Sequence, residues 1–432
     1  MTYVAFIISS YYCNYLHLDA IFKVNLMRSF NITNITKLFG CFFKTDLGIA
    51  LIIAITWQVG MTLVGILLDS SLSNIFQAKS RPDGPITLLS HTSNWDSNWY
   101  LVISKDWYHT NLASSVFYPL FPLLLMTLNV VSFGLVDQLL IGFILNTIAL
   151  FLAIFALVKI ADFFVAKKYR WWVVAIFLAS PAAIFLHFLY TEAIFCAIAF
   201  WAYLFALRRE WWKMAVLLAI LTSARLPAIL FIALCALEFL RSYSWNIRKA
   251  FNKNILWFII TPAGFVLYGL YLQIIRHDFF GMFNGYHHTK DWSYQIFDIN
   301  IFETWIKVAS SIYKSPPLSI AFDEGVFVNA ILPLVTIGLL LISSLYAVLK
   351  MRKTPAIPLA LFSILAITMF SLNSNLVSVH RYALPVVILY ITFVHFISSK
   401  KLLSNVFYVT IYLSIILQTS LYILYVSSYF AG

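Results

Sequence analysis

Long apolar stretches alternate with short basic ones along most of the chain. A helix needs about 20 apolar residues to cross the hydrocarbon core of a membrane, which is about 30 Å thick. Runs of this kind occur near 46–68, 138–158, 171–188, 190–207, 255–275, 326–349, 355–376, 382–399 and 404–427. The pattern predicts an all-α polytopic membrane protein.

The composition agrees with this pattern. Of the 432 residues, 62% are hydrophobic and only 11% are charged, whereas a soluble domain has about 25% charged residues. A buried soluble core does not account for so large a difference. We therefore expect one integral membrane domain over 46–427, preceded by an N-terminal extension, 1–45, which we interpret as interfacial.

Basic clusters separate the apolar runs, and they determine the expected topology. The clusters are Lys159/Lys167/Lys168/Arg170, Arg208/Arg209/Lys213, Arg241/Arg248/Lys249/Lys253, Lys350/Arg352/Lys353 and Lys400/Lys401. The positive-inside rule places them in the cytoplasm, so the net charge of +12 reflects topology and does not indicate a nucleic-acid partner. Lys44 is also placed inside. Because the chain leaves the cytoplasm after each cluster and returns to it before the next, each interval between clusters contains an even number of crossings. The result is about 11 crossings, within a range of about 8 to 12.

Two apolar stretches are ambiguous until this requirement is applied. The stretch 119–133 should lie in the membrane plane or re-enter it, so we expect an in-plane helix within a first external loop, 69–137. The run 214–240 should be a hairpin of two short halves that turn at 224–227, because Pro227 interrupts a helix. The alternative is one long helix that carries a buried arginine. A second external loop then covers 276–325.

The first external loop contains the polar and aromatic segment Trp95-Asp96-Ser97-Asn98-Trp99-Tyr100. A carboxylate such as that of Asp96 can take a proton from an attacking hydroxyl or bind a hydroxylated ligand. Trp and Tyr rings pack against the apolar faces of sugars. An aromatic belt at the membrane interface, with a solvated aspartate, produces the same pattern. Asp106 is a second candidate of the same kind.

Three more charged residues on the predicted external side are candidates for a site. Glu192 begins an apolar run, where a carboxylate stabilises the helix dipole or pairs with a cation or a sugar hydroxyl. Arg225 lies at the apex of the predicted hairpin, and Arg381 lies between His380 and Tyr382. A guanidinium group matches phosphate oxygens. The alternatives are a salt bridge to Glu192 or contact with lipid headgroups.

Neither a metal site nor a bound cofactor is predicted. His287 and His288 are adjacent in the chain, and adjacent side chains rarely point the same way. The four cysteines show no CxxC spacing that would indicate a metal site or a disulfide framework.

Several of these segments, in this order, resemble the motifs of PIG-V-type mannosyltransferases. Trp95-Asp96, Trp99-Tyr100 and Phe117-Tyr118-Pro119-Leu120-Phe121-Pro122 resemble the signature "WD…WY…GY…FFPLYP". Ser180-Pro181-Ala182 with Leu189-Tyr190-Thr191-Glu192 is similar to "NP…YTES", Ser223-Ala224-Arg225 to "SAARSNG", and Arg381-Tyr382 to the late "RY". The resemblance covers about residues 44 to 400. Trp107-Tyr108 and Leu226-Pro227 depart from the pattern, which is closer to that of prokaryotic members.

The resemblance implies a GT-C-type glycosyltransferase fold and an inverting enzyme without a cofactor. Such an enzyme moves a mannosyl or related hexosyl residue from a polyprenyl-phosphate donor to a lipid- or surface-linked acceptor on the extracytoplasmic face. It implies that Asp96 is the general base and that Arg225 and Arg381 hold the carrier phosphate. Glu192 would bind the sugar or orient Arg225.

The remaining expectations concern binding residues, partners and location. The other expected substrate-binding residues are Trp95, Trp99, Tyr100, Asp106, Tyr190, His380 and Tyr382. The expected partners are the polyprenyl-phosphate sugar, a glycolipid or glycan acceptor and membrane lipids, in a prokaryotic plasma membrane rather than the endoplasmic reticulum. The main alternative is a polytopic transporter or lipid flippase, although the chain shows no clear internal repeat of the kind that many transporters have.

Overall fold

The computed structural model describes residues 44–72, 88–109, 112–288, 296–314, 324–398 and 404–432. The chain divides into a small unit, Met1–Ile49, and a main unit, Ala50–Gly432. Most of the expected N-terminal extension, residues 1–43, lies outside the described residues. So do residues 73–87 and 289–295 of the two expected external loops.

Helices form almost all of the described structure, and an isolated bridge between Ile296 and Asn373 is its only β pairing. The helices of ten or more residues are α1 (Asp46–Leu72), α2 (Asp96–Asp106), α3 (Leu120–Val131), α4 (Gln138–Ala161), α5 (Arg170–Ala179), α6 (Glu192–Leu207), α7 (Trp211–Leu221), α8 (Ala228–Ser242), α9 (Ala263–Arg276), α10 (Ile301–Lys314), α11 (Leu332–Lys350), α12 (Ala356–Ser371), α13 (Ile388–Ser398) and α14 (Ser404–Val426).

Five helical stretches within the described residues are long and apolar enough to cross a membrane. They are Asp46–Asp69, Gln138–Ala161, Lys253–Arg276, Phe327–Lys350 and Asn405–Val426. Shorter apolar helices accompany them at Leu120–Val131, Glu192–Leu207, Trp211–Leu221, Ala356–Ser371 and Ile388–Ser398. The protein is therefore an all-α membrane protein.

Helix α6 lies at the centre of the bundle. It packs against α4, α7 and α8, and nearly all of its residues are buried. Helix α8 also packs against α12, which in turn packs against α11. The first residue of α6, Glu192, is therefore held deep inside the protein.

The apolar run 171–188, predicted as one span, is broken in the structure. Helix α5 ends at Ala179, and a 3₁₀ segment, Pro181–Leu186, follows it. Ser180 has an extended conformation, with φ −59° and ψ 144°. Proline causes this break because it has no N–H to donate and disfavours the α conformation in the residue before it.

The break leaves backbone carbonyls without helical partners inside the protein, and amide side chains supply the missing donors. Gln418 of α14 donates to the carbonyls of Leu178 and Ser180 at 2.9 and 3.0 Å. Gln58 of α1 donates to Leu186 at 3.1 Å. Asn146 of α4 similarly donates to Phe188 at 2.6 Å. Irregular backbone at membrane depth is tolerated when such internal partners satisfy it.

The helical hairpin predicted for 214–240 is present as two short antiparallel helices. Helix α7 ends at Leu221 and α8 begins at Ala228. The ring centroids of Trp211, at the start of α7, and Phe239, near the end of α8, lie 4.8 Å apart. The alternative of one long helix through Arg225 is wrong.

Helix α3 begins where the sequence predicts a helix within the first external loop. It starts after Pro119, and the Leu120 N–H donates to the Ser223 carbonyl at 3.0 Å, which ties α3 to the turn between α7 and α8. Its orientation in the membrane plane stays a prediction.

We expect Gly264→Ala to destabilise the fold, because α9 approaches α7 closely at this glycine. A Cβ atom there would collide with the backbone oxygen of Ala219 and lie 2.7 Å from the backbone nitrogen of Ser223. Overpacking of this kind costs about 1–3 kcal/mol. Thermal unfolding of the purified protein in detergent should show a lower Tm.

The matched control is Gly338→Ala in α11, where a Cβ would meet nothing within 4 Å. This variant should keep the Tm of the wild type. Equal Tm values for both variants would contradict the close contact between α7 and α9.

Candidate functional site

Four charged side chains from distant parts of the sequence meet in one cluster. Arg381 Nη2 lies 2.9 Å from Asp96 Oδ2, and Arg381 Nε lies 3.0 Å from Glu192 Oε1. Arg225 Nη1 donates to the same Glu192 oxygen. Glu192 thus bridges the two arginines, and Asp96 contacts one of them.

The cluster is strongly buried and contains as many carboxylates as guanidinium groups. The side chains of Glu192 and Arg381 are only 3% and 5% exposed, whereas that of Asp96 is 27% exposed. Charges in such surroundings are stable only when they are paired. Glu192 Oε2 is nevertheless buried without a hydrogen-bond partner among the described residues. Asp96 is therefore the carboxylate that a ligand can reach most easily.

Aromatic rings surround the two guanidinium groups. Arg381 Cζ lies 5.2 Å from the ring centroid of Tyr190 and 5.4 Å from that of Phe185. Arg225 Cζ lies 5.0 Å from the centroid of Tyr382. Such contacts stabilise a cation electrostatically and exclude water from it.

A cavity of about 590 Å³ opens onto this cluster. The residues singled out in the sequence that line it are Trp95, Asp96, Trp99, Tyr100, Arg225, Arg381 and Tyr382. Its volume falls within the range of about 300–1,000 Å³ that is typical of ligand sites. The structure thus brings Asp96, both predicted arginines and the predicted aromatic residues Trp95, Trp99, Tyr100 and Tyr382 to the wall of one cavity.

The other predicted site residues do not line this cavity. Glu192 and Tyr190 lie behind the arginines that they contact. Asp106 is exposed at the far end of α2, away from Asp96. His380 is buried, and its Nε2 lies 3.0 Å from the carbonyl oxygen of Ala431. Burial lowers the pKa of His380 to about 4, so the ring is neutral and donates this hydrogen bond.

The loop before Asp96 has a strained conformation that other elements hold in place. Trp95 has φ 55° and ψ −119°, a combination that is rare for a residue with a side chain. The Tyr425 hydroxyl accepts the N–H of Asn94 at 2.9 Å, and Asn94 Nδ2 donates to the Tyr425 carbonyl at 2.8 Å. Tyr425 stacks on Phe188 with 3.6 Å between the ring centroids. The end of α14 therefore positions the loop that carries Asp96.

Sequence reasoning missed several residues of the cavity wall. Asn329, Asn373 and Tyr286 line it, as does Phe430, which lies beyond the end of α14. The ring centroids of Phe430 and Trp95 are 5.6 Å apart, and Arg381 Nη1 donates to the Gly432 carbonyl at 3.0 Å. Spacing in the sequence carries no signal for Asn329, Asn373 and Phe430, since each comes from an apolar or irregular stretch outside the motifs.

A second cavity, of about 610 Å³, is almost entirely apolar. Side chains of α3, α7 and α9 line it, among them Leu123, Ile220 and Leu267. The two cavities are lined by residues adjacent in sequence, because Tyr118 lines the first and Pro119 the second. Neighbouring residues at the start of α3 thus contribute to the wall of a polar cavity and to that of an apolar one.

The charged cluster and one basic cluster, that of Arg208 and Arg209, lie at opposite ends of α6. Glu192 is its first residue, and Arg208 and Arg209 follow its last. A helix of 16 residues is about 24 Å long. The cluster is therefore separated from these basic residues by most of a membrane thickness.

The described residues contain no group of three or more His, Cys, Asp or Glu side chains that could hold a metal ion. The side chains of His287 and His288, considered above, lie outside the described residues.

No family model, curated protein or solved structure matches this chain. The resemblance to PIG-V-type mannosyltransferases therefore stays a prediction from short motifs.

We expect Glu192→Gln to destabilise the protein strongly. The substitution keeps the size of the side chain but removes the negative charge that Arg225 and Arg381 share. Breaking a buried pair in this way costs about 3–5 kcal/mol. Chemical denaturation in detergent measures the change in the free energy of unfolding.

The control is Glu303→Gln, the same change in a pair with Lys307 on the exposed surface of α10. Exposed ion pairs contribute little, so its unfolding midpoint should stay close to that of the wild type. A Glu192→Gln variant as stable as this control would show that the cluster is not a tightly coupled buried network.

Proposed function

We propose that this protein is an inverting membrane glycosyltransferase. It moves a mannosyl or related hexosyl residue from a polyprenyl-phosphate carrier to a hydroxyl group of a lipid- or surface-linked acceptor. The main support for the proposal is that Asp96, Arg225 and Arg381 all line one cavity with aromatic walls. A carboxylate and two guanidinium groups are what such a transfer needs.

Arg225 and Arg381 would bind the phosphate of the donor. Guanidinium groups match phosphate oxygens in charge and geometry, and they stabilise the negative charge that develops on the leaving carrier. The cluster without a ligand contains equal numbers of positive and negative groups. The donor phosphate would therefore compete with Asp96 for Arg381 Nη2, and its binding would free the carboxylate for the acceptor.

Asp96 would act as the general base. The acceptor oxygen attacks the anomeric carbon while the bond from that carbon to the phosphate oxygen breaks. The carrier phosphate leaves with the bonding electrons, and the hydroxyl proton passes to the Asp96 carboxylate. Attack opposite to the leaving group inverts the anomeric carbon.

The walls of the cavity suit a sugar, and the neighbouring apolar cavity suits a lipid chain. Trp95, Trp99 and Tyr100 present aromatic rings of the kind that pack on the C–H faces of pyranoses. The apolar cavity beside α3 would take the first isoprene units of the carrier. The donor phosphate would then lie at the arginines of the polar cavity, with its lipid chain directed toward the apolar one.

A flippase or transporter for the same carrier would use the arginine pair without any chemistry. Transporter sites commonly lie near the middle of the membrane, at broken helices related by an internal repeat. Here Glu192 begins a helix, and Arg225 lies in the turn between two helices. Helix α6, about 24 Å long, separates Glu192 from Arg208 and Arg209, so the cluster lies toward one end of the bundle and not at mid-depth. This position favours an enzyme over a transporter.

We expect Asp96→Asn to lower sugar transfer by about 10²–10⁴-fold, because the amide cannot take the proton from the acceptor. The measurement is transfer of labelled mannose from polyprenyl-phosphate-mannose into cell lipid extract, with the purified protein in proteoliposomes.

The matched control is Asp162→Asn at the far end of α4, which should transfer at the rate of the wild type. Full activity in Asp96→Asn would remove this residue from the role of base. A wild-type protein that translocates the carrier across the bilayer, but transfers no sugar, would be a flippase.

A further inference from the structure

Three asparagines in the wall of the polar cavity have side chains that take no part in holding the fold. Asn98, Asn329 and Asn373 all line the cavity. Within the described part of the chain, none of their amide groups makes a hydrogen bond. A fourth asparagine of the wall, Asn375, accepts the N–H of Val377 at 3.1 Å and so has a structural role.

Several asparagines elsewhere in the described chain use their amides to hold backbone. Asn94 donates to Tyr425 in the loop before Asp96, and Asn146 donates to the Phe188 carbonyl. Asn246 caps a short helix by accepting from Lys249. Buried and half-buried polar groups normally find such partners. The three free amides of the cavity therefore require another explanation.

Asn329 is the most unusual of the three, because the backbone around it is also irregular. Residues Phe327–Ile331 form a π-helical turn at the start of α11. Such turns are rare and often occur at functional sites. Asn329 Oδ1 is shielded from solvent and has no hydrogen-bond partner among the described residues, and its chain neighbours are apolar. An unpaired buried acceptor lowers stability, so the fold gains nothing from this side chain.

An amide group is chemically suited to a sugar hydroxyl. It is uncharged and offers both an acceptor oxygen and two N–H donors, and a half-turn of the side chain exchanges their positions. A hydroxyl group likewise donates and accepts. The wall of the cavity thus includes charged groups, at Arg225 and Arg381, and neutral amides, at Asn98, Asn329 and Asn373.

We propose that Asn98, Asn329 and Asn373 bind the hydroxyl groups of the sugar on the donor, and that Asn329 determines which sugar is accepted. This inference rests on the proposed function, because the phosphate at the arginines fixes where the attached sugar lies. A site built to bind a hydroxyl group discriminates strongly against ligands that lack it, since its own polar groups are then left unpaired.

The test compares ligands with and without the sugar. Full-length protein in nanodiscs is titrated with polyprenyl-phosphate-mannose, polyprenyl-phosphate-glucose and bare polyprenyl phosphate, and tryptophan fluorescence reports binding. Wild-type protein should bind one of the sugar-bearing lipids more tightly than the bare carrier. Asn329→Leu should lose about tenfold or more of the affinity for that lipid and keep its affinity for the bare carrier.

Thermal unfolding separates a binding role from a structural one. Asn329→Leu should have a Tm equal to or higher than that of the wild type, because it removes an unpaired polar atom from an apolar turn. Asn405→Leu, the same change at the exposed start of α14, should leave all three affinities unchanged. A lower Tm together with an equal loss of affinity for all lipids would assign Asn329 to the fold and overturn the proposal.

The proposal and the proposed function fail in different ways. If wild-type protein binds the bare carrier as tightly as both sugar-bearing lipids, the amides do not bind a sugar, whatever the transfer experiment gives. A different result would be that the sugar strengthens binding and Asn329→Leu removes this gain, while wild-type protein transfers no sugar. That result would support the sugar-binding role of the amides and contradict the enzymatic function.

Discussion

The bridging of Arg225 and Arg381 by Glu192 is the interaction on which the rest of this structure depends. Two guanidinium groups lie among aromatic rings, where unpaired charges are very costly. One carboxylate at the start of α6 pairs with both, and Asp96 supplies the remaining negative charge. Because these residues come from the start of α2, the start of α6, the turn between α7 and α8 and the segment before α13, pairing their charges also fixes how those elements meet.

A second constraint acts on the backbone. The chain between α5 and α6 is irregular, yet it is buried, so its carbonyl groups need internal donors. Gln58, Asn146 and Gln418 supply them from three long helices. This arrangement keeps the segment before Glu192 rigid and so holds the carboxylate in place. The polar residues of these apolar helices thus have a structural role, because they hold the backbone between α5 and α6. The polar residues of the cavity wall are instead available to a ligand.

The cavity combines groups that a fold optimised for stability alone would not keep. A strained Trp95, a Glu192 oxygen that is buried without a hydrogen-bond partner among the described residues, and three free amides all lie in or beside one space. The strain and the buried unpartnered atoms lower the stability of the fold, and the polar groups offer a ligand hydrogen bonds that are not already used. These groups are concentrated near the charged cluster that joins four distant segments of the described chain. This concentration is the physical basis for a ligand site here. The second cavity is almost entirely apolar, so its lining suits a lipid chain.

The sequence by itself determined the class of the protein, the break between α7 and α8 and part of the site, whereas it predicted one span over 171–188, where the structure has a break. Long apolar runs and scarce charges specify an all-α membrane protein, and Pro227 specifies the hairpin, because both signals are local. Charged residues in apolar surroundings also point to Asp96, Glu192, Arg225 and Arg381. Only the tertiary structure decided that these four side chains meet, that Asp106 and His380 lie off the cavity, and that Asn329 and Phe430 complete its wall. Such contacts join residues far apart in the chain, and their geometry depends on helix packing, for which a single sequence has no periodic signal.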